Sequence, residues 1–248
     1  NKIKYDQKLT ACYTFRGLEK DKVERLEAGD IIAIAGIENI MIGDTISDNE
    51  NPVPLPRIVV DEPTVSMFFH VNNSPFAGKE GKFLTSRNIS ERLHRETLSN
   101  VSLKVKRTDE TDVFEVCGRG ELQMAILIET MRREGYEFQV SKPEPVTKIV
   151  DGQVLEPYEH LSIETREEYI GPLTESLSGR LAQLVDMKND GIGNVHIEYR
   201  IPTRGLIGFR SFFLRTTRGD GVNNSQFIGY EPMSGMLKDI TAVHIIIG

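Results

Sequence analysis

The sequence has no tryptophan, only two cysteines and no long apolar run, and these absences exclude several classes of protein. Cys12 and Cys117 lie far apart, without a CxxC motif or a Cys/His cluster, so neither a disulfide framework nor a zinc site is predicted. No apolar stretch approaches the roughly 18 residues of a membrane span, and residues 1–10 lack the apolar segment of a signal peptide. We expect a cytoplasmic protein with two reduced thiols and no membrane partner.

Positive charge is also in short supply. The 30 lysines and arginines are outnumbered by 37 aspartates and glutamates, which leaves a net charge of −7. Such a chain is not expected to coat nucleic acid over its whole surface, because non-specific affinity comes from cations that neutralise phosphates. The stretch YRIPTRGLIGFRSFFLRTTRGDG, residues 199–221, nevertheless holds five arginines and no carboxylate before Asp220. A local basic face is therefore predicted here.

The sequence shows no recognisable arrangement for catalysis or metal binding. The five histidines form no HxH or HxxxH pair and no Ser-His-Asp arrangement. The segment SPFAGKEGKFLTS fails the GxxxxGK[ST] phosphate-loop pattern, because Phe76 stands where the first glycine should be and Phe83 replaces Ser or Thr. We expect no enzyme activity, no cofactor and no metal site in this chain.

Short apolar runs and turn residues predict an α+β chain of several parts. Residues 1–51 carry short β-like runs, the last of them MIGDTISD at 41–48, which are typical of part of a β-barrel. The proline-rich segment 52–62 is predicted to be a stiff linker. Residues 63–142 and 143–232 each predict the order β-α-β-β-α-β, which is the ferredoxin-like, or split βαβ, sandwich.

A helix is predicted from about Arg204, in the middle of the basic stretch. Leu206, Phe209 and Phe213 would fall on one side of it and pack on a sheet. The opposite side would carry three arginines, namely Arg204, Arg215 and Arg218. Arginines without carboxylate partners on their own element favour an external polyanion, and structured RNA bound through its backbone fits best, since the RNP aromatic motif is missing. The alternative is a solvated helix face whose salt bridges come from elsewhere in the fold.

Two further segments are weaker candidates for binding anions. In the glycine-rich loop before the first helix of 63–142, Lys79 and Lys82 could contact phosphate, or the loop could be only a flexible connection with exposed lysines. The GRG motif at 118–120 precedes a helix, so its amides and Arg119 are predicted to point outward, which favours anions. Its glycines could equally serve only to permit the bend from strand to helix.

Four segments resemble the TypA/BipA family of ribosome-associated translational GTPases. They are YTFRGLEKDKVERLEAGDIIAIAGIENIMIGDTI, VDEPTVSMFFHVNNSPFAGKEGKFLTSR, GRGELQMAILIETMRREGYEFQVSKPEPV and IPTRGLIGFRSFFLRTTRGDG. The resemblance covers about residues 13–231. The pattern GRGEL followed by MRREGYE is shared in outline with LepA and elongation factor G, whereas SPFAGKEGK and RGLIGFRS are more specific to TypA/BipA.

The resemblance implies a GTPase domain, a β-barrel domain II, ferredoxin-like domains III and V, and a family-specific C-terminal domain. On this layout the parts of the chain are a partial domain II (1–51), the linker (52–62), domain III (63–142), domain V (143–232) and a remnant of the C-terminal domain (233–248). No Walker loop is present, and Asn1–Lys4 fails the NKxD motif because Lys4 replaces the aspartate. GTP and Mg would therefore bind in a GTPase domain outside this chain, which itself would neither bind nor hydrolyse GTP.

The resemblance also implies partners and an RNA-binding surface. The parent protein would bind the 70S ribosome and its rRNA as a monomer, would reach A-site tRNA through the missing C-terminal domain, and would act in stress response, cold adaptation and ribosome assembly. Basic residues of domain III would face the small subunit or the GTPase domain, namely Lys79, Lys82, Arg87 and Arg119. Basic residues of domain V would face large-subunit rRNA, namely Lys188, Arg200, Arg204, Arg210, Arg215 and Arg218.

A rival interpretation comes from another class of protein. Paired ferredoxin-like domains also serve as small-ligand-binding or oligomerisation modules in metabolic and regulatory proteins. A buried polar pocket between the two sheets would favour that alternative, whereas an exposed arginine ridge would favour the ribosome. A third alternative, an RNA-modifying enzyme, lacks a visible catalytic constellation in the sequence.

Overall fold

The structure is a computed structural model that describes residues 7–37, 40–48, 50–56 and 60–237. The chain divides into two compact units, 1–59 and 60–248, and the predicted linker 52–62 spans the division between them. The segment Asn1–Lys4 and most of the predicted remnant 233–248 lie outside the described residues, so the interpretations placed on them stay predictions.

The first unit contains an antiparallel sheet of three strands. In chain order these are β1 (Ala11–Arg16), β2 (Glu19–Val23) and β3 (Ile32–Ala35). They lie in the order β2-β1-β3. A turn at Gly29–Asp30 precedes β3, with the Asp30 amide donating to the Glu27 carbonyl at 3.2 Å. The predicted run at 41–48 forms no strand, and the assignment to a β-barrel stays a prediction.

The second unit begins with the predicted order β-α-β-β-α-β. Its elements are β4 (Val65–Val71), α1 (Ser86–Ser99), β5 (Lys104–Arg107), β6 (Val113–Gly118), α2 (Glu121–Arg133) and β7 (Phe138–Val140). The strands form an antiparallel sheet in the order β5-β6-β4-β7, and the short strand β8 (Glu144–Pro145) also pairs with β4. This sheet with α1 and α2 is called the first module, and the element order predicted for 63–142 is confirmed.

The first module encloses a core between its sheet and its two helices. Met67 and Phe69 alternate along β4 and reach this core, because successive side chains of a strand lie on opposite faces. The helices contribute Ile89, Leu93, Met124, Leu127, Ile128 and Met131. Helix α1 begins where Thr85 and Asn88 form a capping box, each side chain accepting a hydrogen bond from the backbone amide of the other residue.

The remainder of the second unit repeats the same order after one additional short strand and is called the second module. Its elements are β9 (Lys148–Val150), β10 (Gln153–Arg166), α3 (Ile170–Gly179), β11 (Gln183–Asn189), β12 (Asn194–Pro202), α4 (Thr203–Leu206), α5 (Phe209–Thr216) and β13 (Gly221–Pro232). The strands form an antiparallel sheet in the order β11-β12-β10-β13, with β9 paired to β10. The element order predicted for 143–232 is thus present, with one change in its second helix.

The helix predicted from about Arg204 is two helices rather than one. Helix α4 ends at Leu206 and α5 begins at Phe209, and Gly208 between them has a φ of 74°. This left-handed conformation interrupts the helix and is one that glycine adopts readily. The predicted apolar side is confirmed, since Phe209 and Phe213 are buried in the second core and Leu206 packs against it.

Both cysteines, Cys12 and Cys117, are free thiols, as predicted. Among the described residues, no helix is long and apolar enough to cross a membrane. Both modules belong to the single compact unit 60–248, and the division predicted between 142 and 143 stays a prediction.

Candidate nucleic-acid interface

Three arginines of the basic stretch lie in solvent on and just after α5. Arg210 and Arg215 belong to the helix, and Arg218 follows its end with a φ of 53°. Within the part of the chain that the structure describes, the side chains of Arg210 and Arg215 have no hydrogen bond or ion pair. Phe209 and Phe213 are buried from the other side of the helix, which directs these arginines outward. Arg215 and Arg218 of the predicted arginine face are therefore exposed, and Arg210 is exposed beside them.

Arg204 does not lie on that face, and its placement among the exposed arginines was wrong. Its side chain is 10% exposed and donates to both carboxylate oxygens of Glu156 at 2.5 and 3.0 Å, while the Glu156 side chain is fully buried. It also donates to the carbonyl of Ser234 at 2.6 Å. A buried carboxylate requires a paired cation, because an isolated charge in the interior is strongly unfavourable. Arg204 therefore has a structural role.

Arg200 and Lys188 lie on the second sheet, and both have partners within the protein. Arg200 on β12 forms an ion pair with Glu231 and lies over the ring of Tyr158, 4.6 Å from its centroid. Lys188 on β11 pairs with Asp186 at 2.8 Å. The Arg200 side chain is therefore not an unpaired cation, because Glu231 from another strand forms a salt bridge with it. Lys188 remains exposed at the edge strand of the sheet.

The basic loop, residues 72–85 between β4 and α1, is organised by a buried carboxylate. Glu137 accepts hydrogen bonds from Asn72 Nδ2 at 2.6 Å and from the amides of Gly78, Glu80 and Gly81 at 2.9 to 3.1 Å. Burial alone would raise the pKa of Glu137, but these donors outweigh it and lower the pKa. The amides that a bound phosphate would need are therefore already occupied, in agreement with the failed Walker pattern.

Lys79 and Lys82 are exposed on this basic loop. Lys79 Nζ lies 4.7 Å from the centroid of the Phe76 ring. The backbone amide of Lys82 donates to the carbonyl of Gly135 at 2.8 Å, which ties the end of the loop to the end of α2. The loop is thus an ordered connection whose lysine side chains, within the described residues, have no carboxylate partner.

Arg87 and Arg119, the other candidates in the first module, each pair with a carboxylate. Arg87 lies in the first turn of α1 and donates to Glu91 at 2.8 Å. Arg119 pairs with Asp61, and its backbone amide donates to the side chain of Gln123 at 2.7 Å. Part of the anion-binding potential predicted for the GRG motif is therefore used inside the protein. Both guanidinium groups still reach solvent, because their side chains are more than half exposed.

A small cavity lies between the two modules. Its volume is about 140 Å³, and its lining includes Arg119 and Leu122 from the first module and Arg210, Asn223 and Ser225 from the second. Pockets for small-molecule ligands typically have roughly 300 to 1,000 Å³. The cavity is too small for such a ligand, so this pocket between the modules does not support the small-ligand alternative. It does bring two of the predicted basic residues, Arg119 and Arg210, to one place.

Contacts from both modules fix the segment that joins α4 to α5. Glu121, at the start of α2, accepts a hydrogen bond from the Gly208 amide at 2.7 Å. Arg180 donates to the carbonyls of Gly205 and Ile207 at 2.8 and 2.9 Å. Burial lowers the pKa of Arg180, and the neighbouring Glu121 carboxylate acts in the opposite direction. The position of α5 and its exposed arginines is therefore set by contacts in the interior.

Two histidines come together on the second sheet, which their spacing in the sequence did not indicate. The Nε2 atoms of His160 and His196 lie 3.5 and 3.2 Å from carboxylate oxygens of Glu198. Glu164 lies 3.6 Å from Nδ1 of His196. No group of three or more His, Cys, Asp or Glu residues in the described ranges is placed to hold a metal ion. We assign these histidines no metal-binding role.

Two carboxylates that no sequence pattern singled out decide how the basic residues are arranged. Glu137 holds the loop that carries Lys79 and Lys82, and Glu156 buries Arg204. Glu137 lies 56 positions along the sequence from Gly81, and Glu156 lies 48 positions from Arg204. No signal in either neighbourhood of the sequence reveals such a pairing, because it depends on which strands and loops meet in the fold.

The second module matches a known family of protein domains. Residues 153–241 match the family model described as elongation factor G C-terminus. The match contains nearly the whole second module, from the start of β10 to beyond the end of β13. The helix α5 with its exposed arginines therefore belongs to a domain of the elongation-factor type.

Several curated relatives share the name large ribosomal subunit assembly factor BipA. The relative from Bacillus subtilis (strain 168) is 47% identical over 226 residues, which cover 91% of this chain and 37% of the relative. The relative from Escherichia coli (strain K12) is 49% identical over 87% of this chain and 35% of the relative. That from Synechocystis sp. (strain ATCC 27184 / PCC 6803 / Kazusa) is 47% identical over 93% of this chain and 39% of the relative. The chain belongs to the BipA (TypA) family, and it spans just over a third of the length of these relatives.

A solved structure supports the fold. A crystal structure of a protein from Thermus thermophilus aligns with a TM-score of 0.51 at 15% sequence identity, covering 92% of this chain and 51% of that one. At this level of identity the likeness concerns the fold alone, a mixed α/β chain with several antiparallel sheets.

Proposed function

We propose that the chain is the ribosome-docking part of a BipA-type translational GTPase that acts in ribosome assembly, stress response and cold adaptation. The observation that carries the proposal is the identity of 47 to 49% with relatives named as assembly factors of the large ribosomal subunit. The match of residues 153–241 to the C-terminus of elongation factor G supports a place among the translation factors.

In this proposal the two modules correspond to domains III and V of a translation factor. The first unit would be part of the β-barrel domain II, and the residues after Pro232 would begin the family-specific C-terminal domain. The repeated order β-α-β-β-α-β in the second unit supports this arrangement. The family match, which falls on the second of these repeats, supports it further.

The proposal gives this chain no catalytic role. GTP and Mg would bind in a GTPase domain outside this chain, so the chain by itself would neither bind nor hydrolyse GTP. Its partners would be the 70S ribosome and rRNA in the cytoplasm, which it would engage as a monomer. A-site tRNA would be reached through the C-terminal domain.

The contact with rRNA would be made chiefly by α5. Arg210 and Arg215 are exposed, lack ion-pair partners among the described residues, and belong to a helix anchored by two buried phenylalanines. Guanidinium groups suit this task because they bind phosphate oxygens through two parallel hydrogen bonds. Arg218, and Lys79 and Lys82 of the basic loop, would add further cations.

The experiment that tests this proposal is co-sedimentation of the chain with 50S ribosomal subunits at low salt. Arg210→Glu/Arg215→Glu is expected to abolish sedimentation. The matched control is Arg132→Glu/Arg133→Glu on α2, which changes the net charge equally at two exposed arginines that pair with Glu129. The control is expected to sediment like the unchanged chain. Equal behaviour of the two variants, or no sedimentation of the unchanged chain, would contradict docking through α5.

A further inference from the structure

The basic loop presents an aromatic ring to solvent beside Lys79. Phe76 is 67% exposed, and Lys79 Nζ lies 4.7 Å from its ring centroid. Among the described residues, no other aromatic ring packs on Phe76, whereas Phe83 at the end of the same loop is paired with Tyr136. A single exposed apolar side chain is common on protein surfaces, so exposure alone does not mark Phe76 as a binding site. The residues around the ring have to be considered as well.

Those surroundings hold the backbone around Phe76 in a defined place. On the C-terminal side of Phe76, three amides of residues 78–81 donate to the carboxylate of Glu137. On its N-terminal side, the amide of Ser74 donates to Asn72 Oδ1 at 3.0 Å. Because hydrogen bonds fix the loop on both sides of Phe76, little conformational freedom would be lost when a ligand docks on the ring.

We propose that Phe76 is a stacking platform for an unpaired RNA base, with Lys79 and Lys82 contacting the phosphates that flank this base. The inference rests on the proposed function, because it takes ribosomal RNA as the polyanion. Aromatic side chains bind single-stranded RNA by stacking, and every base offers a flat face, so such sites tolerate many sequences. The Lys79 ammonium group covers one face of the ring and leaves the opposite face for the base.

The chemistry around the ring favours RNA over a protein partner. Lys79 and Lys82 are cations without a carboxylate partner in the described part of the chain, and they suit phosphate groups. The centre of a protein interface is instead depleted of charge and rich in large apolar side chains. The nearest neighbours of Phe76 in the sequence are Pro75 and Ala77, which offer little apolar surface of that kind.

The absence of tryptophan from the sequence provides a clean reporter. Phe76→Trp places a single indole at the proposed site. The matched control is Phe15→Trp, because Phe15 is 46% exposed and has Lys20 Nζ 5.8 Å from its ring centroid. Each variant of the full chain would be titrated with single-stranded oligoadenylate, with the same strand carrying abasic sites, and with duplex RNA.

Oligoadenylate is expected to quench the indole introduced by Phe76→Trp, whereas the abasic strand and the duplex should not. None of the three should quench the indole introduced by Phe15→Trp. Phe76→Leu is expected to weaken oligoadenylate binding about five- to a hundredfold, because leucine fills space but cannot stack. Lys79→Gln is expected to weaken it by up to about fivefold, because one exposed contact with a phosphate is lost. Equal quenching at both positions, unchanged affinity in Phe76→Leu, or no binding of oligoadenylate would overturn the stacking site.

The two proposals can fail separately. Phe76→Leu changes no charge, and Arg210→Glu/Arg215→Glu leaves the loop intact, so ribosome docking through α5 is tested without Phe76. If Phe76→Leu weakened sedimentation with 50S subunits but left oligoadenylate binding unchanged, Phe76 would be a protein contact. In that outcome the stacking site is wrong while the ribosome-docking function stands.

Discussion

Arg204 and Arg215 belong to the same basic stretch, but their guanidinium groups meet different surroundings. Arg204 is nearly buried against the carboxylate of Glu156, whereas Arg215 lies in solvent without an ion-pair partner among the described residues. Removing one partner of a buried ion pair leaves an uncompensated charge in the interior, while an exposed cation loses only its contacts with water. Substitutions at these two positions should therefore differ in their effect on stability.

Arg204→Met is expected to lower the free energy of unfolding by about 3 to 5 kcal/mol, measured by urea denaturation. The control Arg215→Met should change it by less than about 0.5 kcal/mol. Adding Glu156→Leu to Arg204→Met should recover much of the loss, because both charges are then absent. If Arg204→Met were as stable as Arg215→Met, the prediction that breaking the buried Arg204–Glu156 pair destabilises the fold would be wrong.

Glu137 should make the basic loop sensitive to acid. Its pKa lies below the usual 4.5 in the folded protein, so its hydrogen bonds contribute stability above that pH. This contribution is lost as the pH falls through the lowered pKa. Protection of the Gly78 and Gly81 amides against hydrogen exchange should decline over the same acid range.

The matched variants for this prediction are Glu137→Gln and Glu80→Gln. Glu137→Gln should weaken amide protection in the loop at neutral pH, by about 1.5 to 3 kcal/mol, because the charged acceptor is gone. Glu80 is exposed in the same loop, and Glu80→Gln should leave the protection unchanged. Full protection in Glu137→Gln would show that another group organises the loop.

At the scale of elements, the α4–α5 segment contains two glycines that are required for different reasons. At Gly205 a Cβ atom would lie 2.4 Å from the carbonyl oxygen of Arg180, so no side chain fits there. At Gly208 a Cβ atom would meet nothing within 4 Å, but the φ of 74° strains other residues. The first position is limited by space and the second by backbone conformation.

Gly208→Ala is expected to lower the free energy of unfolding by roughly 1 to 2 kcal/mol, the cost of a left-handed conformation. Gly205→Ala should cost more, because the backbone of α4 must move away from Arg180. Urea denaturation of both variants measures the difference. A Gly205→Ala variant that is at least as stable as Gly208→Ala would contradict the close approach seen in the structure.

The order of elements in the second unit could be predicted because it depends on local signals. Alternating apolar residues mark β4, and the turn at 109–110 separates β5 from β6. Gly135, with a φ of 89°, follows the end of α2. Such signals act over a few residues, so they can be read without knowledge of the tertiary fold.

The surroundings of individual side chains could not be predicted in the same way. A helical pattern does not say which stripe of α2 is buried: Met124 and Met131 are in the core, while Leu122 and Ile126 are 46% and 58% exposed. The burial of Arg204, on α4, depends on Glu156, which comes from the distant strand β10. These features are set by contacts between distant segments, and the candidate interface depends on them.

At the scale of the whole molecule, the net charge of −7 opposes binding to RNA, so the proposed docking on rRNA has to be local. Physiological salt screens charges over about 8 Å, and carboxylates farther than this from α5 weaken its attraction for phosphate only slightly. The second module provides the scaffold that directs Arg210 and Arg215 outward, and the contact between Glu121 and Gly208 ties that scaffold to the first module.

The most direct test of docking through α5 is the salt dependence of the affinity of the chain for 50S subunits. Each phosphate contact releases counterions, so Arg210→Gln/Arg215→Gln should reduce the slope of log affinity against log salt concentration by about 1.5 to 2. The control Arg132→Gln/Arg133→Gln should keep the slope of the unchanged chain. A slope that falls equally in both variants, or that is unchanged in the α5 variant, would show that these arginines do not bind rRNA phosphates.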